Sequence, residues 1–272
     1  MATSLSTILN AMRSGECAGH WVSEFYPDWS QGRTSFGGLT AAQAIHALRQ
    51  SCEPVRPLRS LMVNFISAAG AGDIDVHCEE LHRGNSATWA EARVSQAGKL
   101  VATAMACFGE SRQSSVSVAA ATRPACPSAE QIPDLMRRDN PMLPAFTHNY
   151  QMRFAIGGAP ASAASGSELG AWTRYRDSDE AIGEAQLIAM LDLPPPAVMQ
   201  MFQQPKPVSS LSWHIEFLDH LQAADSPDYQ GWWFMHARAK ACADGYSQEH
   251  TTLYTPSGRA LAMSQQTVAI YA

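Results

Sequence analysis

The feature that most constrains this 272-residue chain is that its second half repeats the pattern of its first. The segment AQAIHAL (42–48) returns as AQLIAML (185–191), at an offset of 143 residues. Three later pairs follow in the same order at offsets of 152, 161 and 160: Phe65 with Phe217, Gly84 with Gly245, and Gly98 with Gly258. Ordered offsets favour an internal duplication, although small domains of one class also share such patterns without one. The duplication predicts a fold of two similar units.

Each unit has the element order of an α+β fold. In the first half, the spacing of Leu5, Ile8, Leu9 and Met12 predicts a short amphipathic helix over 3–14. A second helix is predicted over 39–49, followed by strands over 58–67, 73–84, 86–96 and 99–109. The second half predicts strands over 149–156 and 170–177, a helix over 180–191, and strands over 209–218, 232–245, 247–255 and 258–271. A helix followed by antiparallel strands is the α+β order.

Between the two units the composition changes to serine, alanine and proline, from Ser111 to about Pro144. Such a composition is typical of a connector rather than of a packed element. We therefore predict an N-terminal module over 1–112, a connector over 113–147, and a C-terminal module over 148–272 that contains the working residues.

The two halves differ at three polar positions. The second half has Asp192 in place of Arg49, Gln266 in place of Ala106, and Ser210 in place of Leu58 or Ser60, depending on the register of alignment. An acid, a hydroxyl and an amide are the groups needed to deprotonate a water and to hold a carbonyl during hydrolysis of an activated acyl group. These residues suggest that one copy is specialised for catalysis.

Each of these residues also has a purely structural interpretation. Asp192 would simply end a helix, although an acid at a helix C-terminus is electrostatically unfavourable. Ser210 would be a solvated strand residue. Gln266 would be an exposed amide, because it follows Gln265 and only one of two neighbours on a strand faces inward.

Several stretches resemble the acyl-CoA thioesterase II family. In the first half these are FGGLTAAQAIHAL (36–48) and LHRGNSATWAEARVSQAGKLVATAMACF (81–108), the latter with Gly84 where the family has aspartate. In the second half they are MLDLPP (190–195), SLSWHIEF (210–217) and GRALAMSQQ (258–266), which place Asp192, Ser210 and Gln266 at the family's active-site positions. The resemblance covers nearly the whole chain apart from the connector.

The resemblance implies a double hot-dog fold, in which each module wraps an antiparallel sheet around a central helix. It also implies hydrolysis of fatty acyl-CoA to free fatty acid and CoA by a water that Asp192 activates and that Ser210 and Gln266 position. Neither a covalent acyl-enzyme nor a cofactor is required. Gly37, Gly38 and Gly183 are candidate substrate-binding residues, because helix N-terminal amides stabilise a developing oxyanion.

Composition limits the partners. A net charge of −6 argues against a nucleic-acid-binding protein. No segment is apolar over the length needed to cross a membrane, and no basic start precedes an apolar run. The six cysteines lack CxxC spacing, so we expect a cytoplasmic protein without disulfides or a bound metal. By analogy with double hot-dog families, we expect a homodimer or a larger homo-oligomer.

Other functional classes fit less well or stay open. A serine esterase would need a Gly-x-Ser-x-Gly elbow, and in GSELG (166–170) the serine comes one position early. A hot-dog dehydratase would need a catalytic histidine near a central helix, where His46 is the candidate. The main alternative is an acyl-CoA or lipid-binding protein without turnover. A purely structural duplicated domain would bind no thioester.

Overall fold

The computed structural model describes residues 3–53, 55–134, 140, 143–176, 182–219 and 231–271. The α-helices are α1 (Leu5–Asn10), α2 (Gly37–Ser51) and α3 (Glu184–Leu191). The strands of the first half are β1 (Arg13–Ser14), β2 (His20–Phe25), β3 (Ser30–Gln31), β4 (Thr34–Ser35), β5 (Leu58–Phe65), β6 (Gly72–Arg83), β7 (Ala87–Gln96) and β8 (Lys99–Gly109). Those of the second half are β9 (Tyr150–Ile156), β10 (Glu168–Tyr175), β11 (Val208–Phe217), β12 (Trp233–Ala243), β13 (Tyr246–Tyr254) and β14 (Ala260–Ile270).

Within the described part of the chain, twelve strands form one antiparallel sheet. Their order is β1-β2-β6-β7-β8-β5-β11-β14-β13-β12-β10-β9, and β3 pairs with β4 separately. The two halves of this order mirror each other about the β5–β11 pair, where Val63 lies opposite Trp213. The sheet is therefore two six-stranded halves joined edge to edge, which confirms the duplicated α+β fold.

The register of the sheet settles which residues correspond between the halves. Strand β5 carries a bulge against β8, between Leu58 and Ser60, and β11 carries one against β14, between Ser210 and Ser212. Ser210 therefore corresponds to Leu58. Leu61 pairs with Ala106 as Trp213 pairs with Gln266, so the match of Gln266 with Ala106 holds as well.

The two central helices pack against each other and run antiparallel. The start of α2 lies beside the end of α3. A side chain on Gly38 would begin only 2.6 Å from the carbonyl oxygen of Ala189. The end of α2 lies beside the start of α3, where Arg49 binds Glu184. One cluster of buried apolar residues includes both helices and strands of both sheet halves. The modules thus share a continuous core.

Some element boundaries differ from the sequence predictions. The first helix was predicted over 3–14 but ends at Asn10, and Arg13–Ser14 forms β1 instead. Helix α2 is longer than predicted. The segment before it forms β2 and a 3-10 turn at Pro27–Trp29, neither of which was predicted from sequence periodicity. Residues 177, 180 and 181, at the ends of two predicted elements, and connector residues 135–139, 141 and 142 lie outside the described residues.

Part of the segment between the sheet halves packs on the second half. The Trp172 indole N–H donates to the Pro127 carbonyl at 2.9 Å, and the Arg123 guanidinium lies 4.6 Å from the Trp172 ring centre. These contacts cover a small second apolar cluster around Phe234 and Tyr254. Among the described helices, none is both long enough and apolar enough to cross a membrane.

Candidate active site

Asp192 lies at the junction of the two modules. It is the C-cap residue of α3, and Leu193 and three prolines follow it and carry the chain away from the helix axis. A carboxylate at a helix C-terminus faces the negative end of the helix dipole. Here that cost is offset, because the antiparallel packing of the helices brings the carboxyl to the positive end of α2.

The N-terminus of α2 receives this carboxyl. The N-cap residue of α2 is Phe36, whose side chain makes no capping hydrogen bond, so the first backbone amides of the helix lack a local acceptor. The Gly38 backbone N–H donates to the Asp192 carboxyl. The acid of the second module thus serves the helix terminus of the first.

Two glycines allow this close approach. A side chain on Gly37 would begin 2.8 Å from Asp192 Oδ2 and 3.0 Å from the Phe65 ring. A side chain on Gly38 would begin 2.6 Å from the carbonyl oxygen of Ala189 in α3. Only glycine at these two positions leaves room for the carboxyl and for the contact between the helices.

Gln266 links the three predicted polar residues. Its Nε2 donates to Asp192 Oδ1 at 3.1 Å and to Ser210 Oγ at 2.8 Å. Gln266 faces inward on β14, while its neighbour Gln265 is exposed. Ser210 adjoins the β11 bulge, and an extra residue in a strand turns nearby side chains. An acid, a hydroxyl and an amide from three elements therefore meet at one place.

The carboxyl of Asp192 is prepared for proton transfer near neutral pH. Burial raises the pKa of Asp192 to about 7, while the hydrogen bonds from Gln266 and from the Gly38 amide act in the opposite direction. Although the residue as a whole keeps some exposure, its carboxyl group is enclosed by protein atoms. A base with a pKa near the working pH is the most effective proton acceptor.

Both halves of the chain match models of known protein domains. Residues 25–109 match the acyl-CoA thioesterase N-terminal domain, and residues 123–270 match the acyl-CoA thioesterase C-terminal domain. The chain belongs to the acyl-CoA thioesterase family. Membership supports thioester hydrolysis in general terms, with acyl-CoA as the class of substrate.

Solved structures share the fold over nearly the whole chain. A conserved protein of unknown function with a hot dog fold from Alicyclobacillus acidocaldarius is 22% identical, with a TM-score of 0.88 over 99% of both chains. The tesB protein of Mycobacterium avium subs. paratuberculosis is 15% identical, with a TM-score of 0.78 over 98% of both chains. The acyl-CoA thioesterase II TesB2 of Mycobacterium marinum is 17% identical, with a TM-score of 0.76 over 98% of both chains. The chain has no match among curated proteins. The fold is thus the double hot-dog of the thioesterase family.

The structure separates the third candidate glycine from this site. Gly183 is the N-cap of α3, and Asp192 lies at the opposite end of that helix, about 13 Å away at 1.5 Å per residue. The Gly183 N–H donates to Gln186 Oε1 at 3.2 Å, so this amide is already paired within α3. Of the predicted glycines, the structure brings Gly37 and Gly38 to the acid and leaves Gly183 away from it.

The position related to this site by the internal symmetry of the thioesterase fold contains an ion pair. Arg49 occupies the place in α2 that Asp192 has in α3, and it binds Glu184 at the start of α3 through two hydrogen bonds of 2.8 and 2.7 Å. Arg49 also donates to the carbonyls of Glu53 and Arg56. At this end of the helix pair the acid, Glu184, is therefore paired with a cation, whereas among the described residues no ion pair engages Asp192 at the other end.

Sequence reasoning missed a second buried acid beside the site. Glu249 on β13 is 3% exposed and, with Asp192, Gln266 and Trp213, borders a small cavity under residues 194–197. Its carboxylate accepts hydrogen bonds from the backbone of Ala197 at 3.0 Å and from Ser247 Oγ at 2.6 Å. The signal was present in the alternation of β13, because Ser247, Glu249 and Thr251 place polar groups on its inward face.

Proposed function

We propose that this chain hydrolyses the thioester of fatty acyl-CoA to free fatty acid and CoA, using a water that Asp192 activates together with Ser210 and Gln266. The observation that supports this most is the enclosed Asp192 carboxyl, with its pKa raised by burial to about 7, beside the N-terminus of α2. A base and an array of backbone donors within one small site are the two requirements of hydrolysis by water.

In the proposed reaction, Asp192 removes a proton from the water as its oxygen attacks the thioester carbonyl carbon. The carbonyl oxygen becomes an oxyanion. The backbone amides at the start of α2 other than that of Gly38, which binds Asp192, stabilise this oxyanion. When the C–S bond breaks, the proton held by Asp192 passes to the departing sulfur of CoA. The products are the fatty acid and the free thiol, and the carboxylate is regenerated.

Ser210 and Gln266 have positioning roles in this scheme. The Gln266 amide donates to both Asp192 and Ser210, so it fixes the carboxylate and orients the hydroxyl oxygen as an acceptor. The Ser210 O–H then serves as a donor to the water or to the thioester. General-base catalysis contributes about 10²- to 10⁴-fold in rate.

The decisive experiment measures release of free thiol from acyl-CoAs of increasing chain length. We expect turnover by the natural chain and a loss of about 10²- to 10⁴-fold in kcat for Asp192→Asn, which cannot accept the proton. Ser210→Ala and Gln266→Ala are expected to lower kcat as well. Exposed residues of the same types supply matched controls: Asp73→Asn, Ser209→Ala and Gln265→Ala should retain activity.

Two outcomes would overturn the proposal. Binding of acyl-CoA without hydrolysis by the natural chain would favour the alternative, an acyl-CoA or lipid-binding protein. Turnover that survives Asp192→Asn in a folded protein would assign the base to another residue. Circular dichroism of each variant separates loss of chemistry from loss of fold.

The cytoplasmic location and the homo-oligomeric state expected from sequence stay predictions of this proposal. Sedimentation velocity at several concentrations would test whether the chain forms a homodimer or a larger assembly.

A further inference from the structure

A cluster of metal-binding side chains lies at the edge of the first sheet half. Cys17 lies in the loop between β1 and β2, three residues before His20, and the Cys17 carbonyl accepts the His20 N–H at 3.1 Å. This turn places both residues on one side of the loop. His20 begins β2 directly opposite His77 of β6, and their imidazole rings stack with centres 4.3 Å apart. One ligand atom from each of the three residues lies within 4.8 Å of the other two.

The surroundings of His20 match those of a metal-binding histidine. Its Nε2 hydrogen-bonds the Asp75 carboxylate at 2.9 Å. Metal-bound histidines commonly donate their second ring N–H to a carboxylate, which fixes the tautomer and the ring orientation. This contact leaves Nδ1 as the ligand atom. Nδ1 now accepts a long hydrogen bond of 3.2 Å from the backbone of Glu16, which a metal would replace.

Glycines shape the loop around this nitrogen. A side chain on Gly15 would begin 2.2 Å from His20 Nδ1, so only glycine at this position leaves the His20 ring in place. Gly19 has a φ of +77°, and a side chain there would begin 2.3 Å from the Cys78 carbonyl oxygen. The loop therefore depends on glycine two residues before the Cys17–His20 turn and within it.

We propose that Cys17, His20 and His77 bind a divalent transition metal of the zinc class, with water as the fourth ligand. Thiolate and imidazole are the ligands that zinc prefers, at about 2.3 and 2.0 Å. Such bond lengths separate neighbouring ligand atoms by about 3.3 to 3.6 Å in a tetrahedral site. Because imidazole binds a metal in the plane of its ring, the exposed His77 side chain must rotate out of its stack on His20, and the exposed Cys17 side chain must rotate as well, to close the remaining distance. The proposal departs from the sequence expectation of a metal-free protein, which rested on the absence of CxxC spacing among the cysteines.

This site is separate from the proposed catalytic residues. Strands β7, β8 and β5 lie between β6 and β11, so about 19 Å of sheet separates His77's strand from that of Ser210. A metal there would tie the β1–β2 loop to β6 and would not activate the water at Asp192.

The test is a titration of the full chain, without a histidine tag, with Co²⁺ under reducing conditions. We expect a thiolate-to-cobalt charge-transfer band and the visible bands of a tetrahedral site, which Zn²⁺ then removes. Cys17→Ser should abolish the charge-transfer band, and His77→Ala should weaken Co²⁺ binding at least tenfold. Gly15→Ala keeps all three ligands but displaces the His20 ring, so it should weaken binding too.

Matched controls come from residues of the same type outside the cluster. Cys242→Ser changes another exposed cysteine, and His82→Ala changes another exposed histidine of β6, so both should bind Co²⁺ as the natural chain does. Absence of the charge-transfer band in the natural chain, or its persistence in Cys17→Ser, would overturn the proposal. Hydrolysis of acyl-CoA is not a readout here, so the result is independent of the proposed function.

Discussion

At the scale of single residues, Asp192 is subject to opposing influences on its pKa. Burial favours the neutral acid, whereas the donors from Gln266 and Gly38 favour the carboxylate, and burial has the larger effect. The result, about 7, leaves a base that is half ionised near neutral pH. Two predictions follow from this balance, one for the rate and one for stability.

The rate of hydrolysis should depend on ionised Asp192. We expect kcat to rise with pH, with a midpoint near the pKa of about 7. Gln266→Leu removes a donor that stabilises the carboxylate, so the midpoint should move to higher pH. Steady-state kinetics across pH would measure both, with Gln265→Leu as the control that keeps the midpoint. An unchanged midpoint in Gln266→Leu would contradict the assignment of the base.

Stability should also report the buried acid. The folded state holds the Asp192 proton up to a pH of about 7, while the unfolded chain releases it near the ordinary value of 3.8. Between these values the folded state binds more protons, so this residue lowers stability as pH rises. We therefore compare the free energy of unfolding of Asp192→Asn with that of the natural chain. This difference should favour the variant more at pH 8 than at pH 4, by up to about 4 kcal/mol.

Urea unfolding at both pH values measures this gain. Gln265→Ala, which changes an exposed residue that does not titrate, is the control and should show no comparable pH dependence. An equal effect of Asp192→Asn at the two pH values would mean that the carboxyl is not held neutral by burial.

At the scale of elements, β13 supports the segment that follows Asp192. Glu249 accepts the backbone N–H groups of Ala197 and Val198, at 3.0 and 3.5 Å, at the start of the 3-10 helix Ala197–Met201. Burial raises the pKa of Glu249, and its hydrogen bonds oppose that shift. Gln200 fixes the same helix by donating to the Glu168 carbonyl at 2.9 Å. The segment is thus held against the sheet beside the proposed catalytic residues.

Removing Glu249 should loosen this segment. Glu249→Ala leaves buried amides without an acceptor, and we expect a loss of about 1 to 3 kcal/mol in the free energy of unfolding, together with a lower kcat. Glu249→Gln keeps an acceptor oxygen and should retain most of the free energy of unfolding and most of kcat. Chemical denaturation and thiol-release assays measure the two effects, and Glu216→Ala on the exposed face of β11 is the control. Equal behaviour of the Ala and Gln variants would argue against a positioning role for this carboxyl.

At the scale of the whole molecule, the antiparallel pair α2–α3 has two different ends. One end joins Asp192 to the α2 N-terminus, and the other joins Arg49 to Glu184. Because a shared apolar core surrounds both helices, neither module completes the acid-containing site alone. The first module supplies backbone donors, and the second supplies the acid, the hydroxyl and the amide.

The Arg49–Glu184 pair should stabilise the junction without taking part in catalysis. Both side chains are about one-fifth exposed, at 19% and 23%, so water screens the pair only in part. A double-mutant cycle with Arg49→Met and Glu184→Gln should give a coupling energy of about 1 to 2 kcal/mol. Urea denaturation of the four proteins measures it. A coupling near zero would show that the core alone fixes the module interface.

Much of the fold followed from linear patterns. The paired segments at 42–48 and 185–191 lie at equivalent places in α2 and α3, and the paired glycines lie at equivalent turns. The prediction of elements from sequence missed β2, where the local pattern is weak, and gave the wrong end for α1, which is short. For the site, sequence identified the three polar residues because their types differ between two otherwise similar halves.

Sequence by itself therefore determined the duplication, the element order and the identity of the acid, the hydroxyl and the amide, since offsets and residue types are properties of the linear chain. Only the tertiary structure decided that Gly38 meets Asp192, that Gly183 does not, and that Glu249 is enclosed beside them. These relations arise when helix ends about 150 residues apart in the chain pack antiparallel. The burial that raises the pKa of Asp192 exists only after both modules close around it.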